Sequence, residues 1–120
     1  MTDSVVFKVK TFARLGTKET WDRGYFWCPG CQRLHAVNIG KNSPPNEPNW
    51  NFNGNTNNPT LTPDITTVVE TPKDPDDPQT ELFICHSQIN NGTIQFAKDC
   101  TAHQMANKQM PLPPLPDWFL

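Results

Sequence analysis

The sequence is poor in apolar residues, which make up 35% of its 120 residues. Globular domains commonly reach about 45–50%. A chain of this length fits a single domain, and its hydrophobic core must be thin. Small domains with thin cores usually depend on a disulfide, a metal or a partner. The four cysteines and three histidines favour one of the first two.

The sequence also lacks a secretory leader pattern and any run of 18 apolar residues, so we expect a soluble protein that is neither secreted nor membrane-bound. The net charge is only −2, without the excess of basic residues that nucleic-acid binders carry. In a reducing cytosol, paired cysteines are more often metal ligands than disulfides.

Two β-hairpins are predicted from apolar alternation and turn residues. The first runs from Tyr25 to Ile39 around the turn Cys28-Pro29-Gly30-Cys31. The second runs from Glu81 to Ala97, where Asn90-Asn91-Gly92 supplies a tight turn. Further strands are expected near residues 5–10 and 65–69.

A short helix is predicted over Cys100–Lys108, because Asp99 can cap it and Pro111 ends it. The fold class is therefore a small β-rich α+β fold with two hairpins around a zinc site, one short C-terminal helix and an extended proline-rich tail. Residues 1–110 form the zinc-stabilised domain and residues 111–120 an extended arm. The arm carries three apolar residues that we expect to contact a partner: Trp118, Phe119 and Leu120.

The cysteine spacing predicts a structural zinc site. Cys28 and Cys31 are two residues apart in a turn, as in many zinc knuckles. Cys85 is the favoured third ligand, and either Cys100 or His103 is the fourth. The alternative set is Cys28, Cys31, Cys100 and His103, which leaves Cys85 as a buried thiol. Unliganded packing of one or more cysteines, or a disulfide, are the other possibilities.

A catalytic metal is not favoured. The sequence has no His-Glu-x-x-His spacing and no well-placed carboxylate base, and thiolate-rich zinc sites usually serve structure. His35 and His86 are interpreted as residues around the metal site or on the surface, and Asp99 as a helix cap rather than a catalytic acid. We therefore predict that the protein is not an enzyme.

Several spaced motifs, covering roughly residues 21–116, resemble a family of small phage and bacterial proteins of unknown function, some of which bear the label ammonia monooxygenase. The motifs are Trp27-Cys28-Pro29-Gly30-Cys31 with His35, Trp50-Asn51-Phe52-Asn53-Gly54, Pro59-Thr60-Leu61-Thr62-Pro63, Cys85-His86, Gly92-Thr93-Ile94-Gln95-Phe96 and Asp99-Cys100-Thr101. The resemblance implies a phage gene and metal binding. Here Ala102 is inserted before His103, which leaves the fourth ligand open.

The leading hypothesis is a phage accessory or virion-associated structural protein that docks on a protein partner through its loops and tail. The alternative is a host-directed inhibitor of a bacterial enzyme or defence protein, and a zinc-dependent hydrolase is third. Each places the protein in the virion or the host cytoplasm. Bacterial relatives near ubiquitin-like conjugation genes hint at a role around protein modification, but this hint does not displace the leading hypothesis.

Overall fold

The computed structural model describes residues 5–40, 47–72, 76 and 80–120. Within these residues, eight strands form two antiparallel sheets. The strands are β1 Lys8–Ala13, β2 Thr20–Cys28, β3 Arg33–Ile39, β4 Asn51–Phe52, β5 Leu61–Pro72, β6 Thr80–Asn90, β7 Thr93–Phe96 and β8 Gln109–Pro111. One sheet has the order β1-β2-β3 and the other the order β4-β5-β6-β7-β8. The protein is thus small and β-rich, as predicted.

Both predicted hairpins are present. β2 pairs with β3 on either side of the cysteine turn, which closes through a 2.9 Å hydrogen bond from Gln32 N to Cys28 O. β6 pairs with β7 across Asn91 and Gly92, whose φ angles are 51° and 79°. Asn and Gly tolerate these left-handed angles, which explains why the turn was predictable.

The two sheets share one hydrophobic core. Alternate residues of β2 and β3 point into it, as do alternate residues of β5, β6 and β7. The largest apolar members are Phe7, Phe26, Ile39, Leu61, Ile65, Ile89, Ile94, Phe96 and Leu112. Phe7 lies directly over Gly24, where an added Cβ would come within 2.1 Å of the Phe7 ring. This close approach requires a glycine at that position.

The predicted helix over Cys100–Lys108 is not formed, and that prediction was wrong. The segment runs in turns because several of its backbone amides bond to neighbouring strands and so cannot form a helical ladder. Thr101 N and Ala102 N donate to Ile84 O at 2.7 and 3.0 Å, and Asn107 N donates to Phe96 O at 3.1 Å. Tertiary pairing thus outweighs helix propensity here. The described part of the chain contains no helix able to cross a membrane.

The proline-rich tail lies against its own domain. Leu112 N donates to Gly92 O at 2.9 Å, Leu115 N donates to Val5 O at 2.8 Å, and both leucine side chains are buried. The Phe119 ring packs against Tyr25 in a tilted arrangement, with ring centroids 4.9 Å apart. Two of the three residues predicted to contact a partner remain exposed, Trp118 at 73% and Leu120 at 52%.

Candidate metal centre and acid–base site

Four metal-binding side chains converge where the two sheets meet. Cys28 ends β2, Cys31 lies in the following turn, Cys85 points inward from β6, and His103 comes from the segment after β7. Their ligand atoms all lie within 4.8 Å of one another. The group could therefore hold a metal ion.

The distances suit a tetrahedral ion. Cys28 Sγ lies 3.9 Å from Cys85 Sγ, and Cys85 Sγ lies 3.4 Å from His103 Nε2. Zinc lies about 2.3 Å from a sulfur ligand and about 2.0–2.1 Å from a nitrogen ligand. In a tetrahedral site these bond lengths place two sulfurs about 3.8 Å apart, and a sulfur and a nitrogen about 3.6 Å apart. Both of these observed spacings are close to the values for a shared ion.

The three thiols of the cluster shift each other's pKa values. The neighbouring Cys85 thiol, and to a lesser extent the His35 ring, lower the pKa of Cys28 to about 3. Burial raises the pKa of Cys31 to about 11, and the hydrogen bond to Cys28 raises the pKa of Cys85. A bound cation would favour the thiolate form of all three cysteines.

Cys100 lies beside this cluster but outside the group of four. Its Sγ is 3.4 Å from His103 Nε2, and its side chain is buried. The His103 ring also sits tightly on the cysteine turn, because a Cβ on Gly30 would approach the His103 Nε2 and Cε1 atoms to 2.3 Å. The glycine of Cys-Pro-Gly-Cys thus makes room for the histidine.

His35 is buried, with 7% of its surface exposed. Its Nδ1 lies 3.1 Å from Thr67 Oγ1, and its ring stacks on Phe26 at 5.4 Å. It lies beside the sulfur cluster rather than on the surface.

A second site lies on the outer face of the five-stranded sheet. His86 is held between two carboxylates: Nδ1 lies 3.1 Å from Asp99 Oδ1, and Nε2 lies 3.1 Å from Asp64 Oδ2. Its side chain is 26% exposed. We call Asp64, His86 and Asp99 the acid–base site.

A bulge in β5 and the turn after β7 place the two carboxylates beside His86. The β5–β6 register shifts between Leu61 and Ile65, and this bulge contains Asp64. Bulges re-aim side chains and are common next to active sites. On the other side, Ala97 N donates to His86 O at 2.9 Å, and the turn that follows carries Asp99.

The two carboxylates act on the charge of His86. Hydrogen bonding to Asp99, and then to Asp64, raises the pKa of the imidazole above its ordinary value, and partial burial opposes the shift. An ionised carboxylate only accepts hydrogen bonds, so both contacts favour the protonated form of the imidazole.

A polar recess of about 220 Å³ adjoins this site. Asp64 forms part of its wall, and the remaining lining is mostly polar: Gln88, Gln95, Phe96, Ala97, Lys98 and Asn107.

The acid–base site was not predicted from the sequence. Asp99 was predicted to cap a helix, but no helix follows it, and its carboxylate contacts His86 instead. Asp64 was not among the predicted site residues. The available signal was strand alternation, because an inward Cys85 requires an outward His86.

A family model described as BubE, a bacterial ubiquitination-like system serine protease, matches residues 4–97 of the chain. The matched region contains Asp64 and His86 and ends before Asp99. No match was found among curated proteins or among solved structures.

This match overturns two predictions. The roles of phage virion or accessory protein, and of host-directed inhibitor, were wrong, because the matching family is described as part of a bacterial system. The prediction that the protein is not an enzyme was also wrong, because the description is that of a protease. The physical reason is that the cysteine spacing is a local pattern, whereas the contacts of His86 on the outer face of β6 join residues that are 13 and 22 positions apart.

Proposed function

Because the chain belongs to the BubE family of bacterial ubiquitination-like system serine proteases, we propose that it hydrolyses amide bonds made by a ubiquitin-like protein. The observation that carries this proposal is the 3.1 Å contact between His86 Nδ1 and Asp99 Oδ1 on an accessible sheet face. A carboxylate at Nδ1 fixes the orientation of the imidazole and directs Nε2 outward, which is the arrangement of the histidine in serine proteases.

The surroundings of His86 favour a protein substrate over a small molecule. Exposed apolar side chains continue along the same sheet face, with Val68 exposed at 54% and Leu82 at 61%. Thr66 pairs with His86, and Val68 pairs with Ile84, so this apolar strip starts next to the acid–base site. We assign the strip to the body of the substrate and the polar recess beside Asp64 to its extended segment.

Cleavage of a fusion between such a ubiquitin-like protein and a fluorescent reporter tests the proposal. His86→Ala should reduce the rate by at least about 100-fold, since positioned acid–base groups contribute on the order of 10²–10⁴. Leu15→Ala is the matched control, because Leu15 is 99% exposed and lies in the β1–β2 turn. Equal cleavage by the His86→Ala variant and the wild type would contradict the proposal.

We also propose that the ion held by Cys28, Cys31, Cys85 and His103 is zinc and that it is structural. Four protein ligands leave no open position for water, as is usual for structural zinc. The ion would join β2 and its turn to β6 and to the segment after β7. It would thereby fix the strand that carries His86.

A further inference from the structure

We infer that Asp64 occupies the position of the nucleophile, so that this chain cleaves its substrate with water and forms no acyl-enzyme. The inference rests on the proposed function. In a Ser–His–Asp triad, a carboxylate holds Nδ1 and the serine hydroxyl lies at Nε2. In this chain Asp99 holds Nδ1, and the group at Nε2 is the Asp64 carboxylate, 3.1 Å away.

No serine among the described residues can take that position. Ser87 is the only serine in this part of the chain. It follows His86 on β6, so it faces the opposite side of the sheet, and it is 3% exposed in the core. Thr66 is the one hydroxyl placed directly opposite His86 in the register. However, both nitrogens of the His86 ring already contact carboxylates.

A carboxylate in place of a hydroxyl changes what this position can do. In a serine protease the histidine removes a proton from the serine hydroxyl, and the serine oxygen then attacks the substrate. The carboxylate that lies at His86 Nε2 has no hydroxyl to attack in this way, but it can orient a water molecule and accept its proton. Asp64 is therefore placed as the base that activates water, and His86 as the group that protonates the leaving nitrogen.

This arrangement supports direct hydrolysis. Asp64 accepts a proton from water as the water oxygen bonds to the substrate carbonyl carbon. The C–N bond then breaks, and the proton on His86 Nε2 passes to the departing nitrogen. Asp64 returns its proton to Nε2. One water is consumed, and one carboxylic acid and one amine are formed.

A fluorophosphonate probe tests this inference without a protein substrate, because it reacts with hydroxyl nucleophiles that a histidine activates. Wild type and Asp64→Ala should not be labelled. Asp64→Ser should become labelled at position 64, at least about 100-fold faster than the double variant Asp64→Ser/His86→Ala. Circular dichroism and melting temperature establish that each variant is folded.

Each outcome is decisive. Labelling of the wild type on any serine or threonine overturns the inference, and Thr66→Val then shows whether Thr66 is that nucleophile. A folded Asp64→Ser variant that stays unlabelled also overturns it. If the variant is labelled but the wild type cleaves no ubiquitin-like fusion, the proposed function fails while position 64 remains assigned as the nucleophile position.

Discussion

Cys85 and His86 are neighbours on β6 and serve two sites on opposite faces of the same sheet. The Cys85 sulfur lies 3.4 Å from His103 Nε2 in the core, whereas the His86 ring contacts two carboxylates on the outside. Asp99 and Cys100 repeat this division, since Asp99 contacts His86 and the Cys100 sulfur contacts His103. The cysteine–histidine cluster and the acid–base site are thus joined through two pairs of adjacent residues.

Removal of a ligand should unfold the domain. Cys28→Ser eliminates one of the four ligands, and structural zinc contributes about 10 kcal/mol or more to folding in small metal domains. We expect the variant to be insoluble or to melt far below the wild type, and to lack the single equivalent of zinc that elemental analysis should find. A wild type without bound metal, unaffected by chelators, would show that the cysteines merely pack.

The fourth ligand can be identified by two substitutions. His103→Ala should lose zinc, because His103 belongs to the group of four. Cys100→Ser should keep one equivalent, because Cys100 lies outside that group. If Cys100→Ser loses zinc and His103→Ala retains it, Cys100 and not His103 is the fourth ligand.

Gly30→Ala should weaken metal binding without removing a ligand. The new methyl would lie 2.3 Å from the His103 ring, so the ring must move away from the sulfurs. Competition with a chromophoric chelator should show a zinc affinity lower by at least about tenfold, comparable with the loss of an orienting contact. Pro29→Ala, in the same turn, is the control and should bind as the wild type does.

Asp99→Asn should lower the pKa of His86. Asp99 is the largest cause of the upward shift, and an amide does not favour the imidazolium as a carboxylate does. The ring should therefore lose its proton at a lower pH, as followed by the NMR shift of its Cε1 hydrogen. Asp22→Asn is the control, because Asp22 accepts a hydrogen bond from Thr11 on the other sheet. An unchanged pKa in Asp99→Asn would mean that Asp99 does not contact His86 in solution.

The tail should contribute to stability. Leu115 is 3% exposed, so Leu115→Ala should cost about 2–5 kcal/mol. Trp118 is 73% exposed, so Trp118→Ala should change the free energy of unfolding by about 0.5 kcal/mol or less. Denaturant titration measures both. A Trp118→Ala variant that is stable but cleaves ubiquitin-like fusions poorly would support the predicted partner contact at the chain end.

The sequence predicted the elements whose residue pattern repeats with the period of the structure, as apolar alternation does in a β-strand. The alternation in β2, β3, β6 and β7, and the turn at Asn91 and Gly92, led directly to the two hairpins. The Cys-x-x-Cys spacing led to the cluster that the structure brings together. These features depend on neighbours along the chain, so they can be read from local sequence.

Other features depend on contacts between distant segments. The residues after Cys100 favour a helix in isolation, but their amides bond to Ile84 and Phe96. Asp64 follows a proline in a polar stretch, and nothing local indicates that a bulge turns it toward a histidine 22 residues later. The acid–base site therefore emerged only from the three-dimensional register.

Pro111 has a consequence for association between copies of the chain. It ends β8, the last strand at one edge of the five-stranded sheet. Proline has no amide hydrogen, so this edge offers one donor fewer to an incoming strand. The prolines that follow cannot extend a ladder either, and edges interrupted in this way resist strand-by-strand aggregation. The sheet that carries both sites is thus protected from growing into a fibre at this edge.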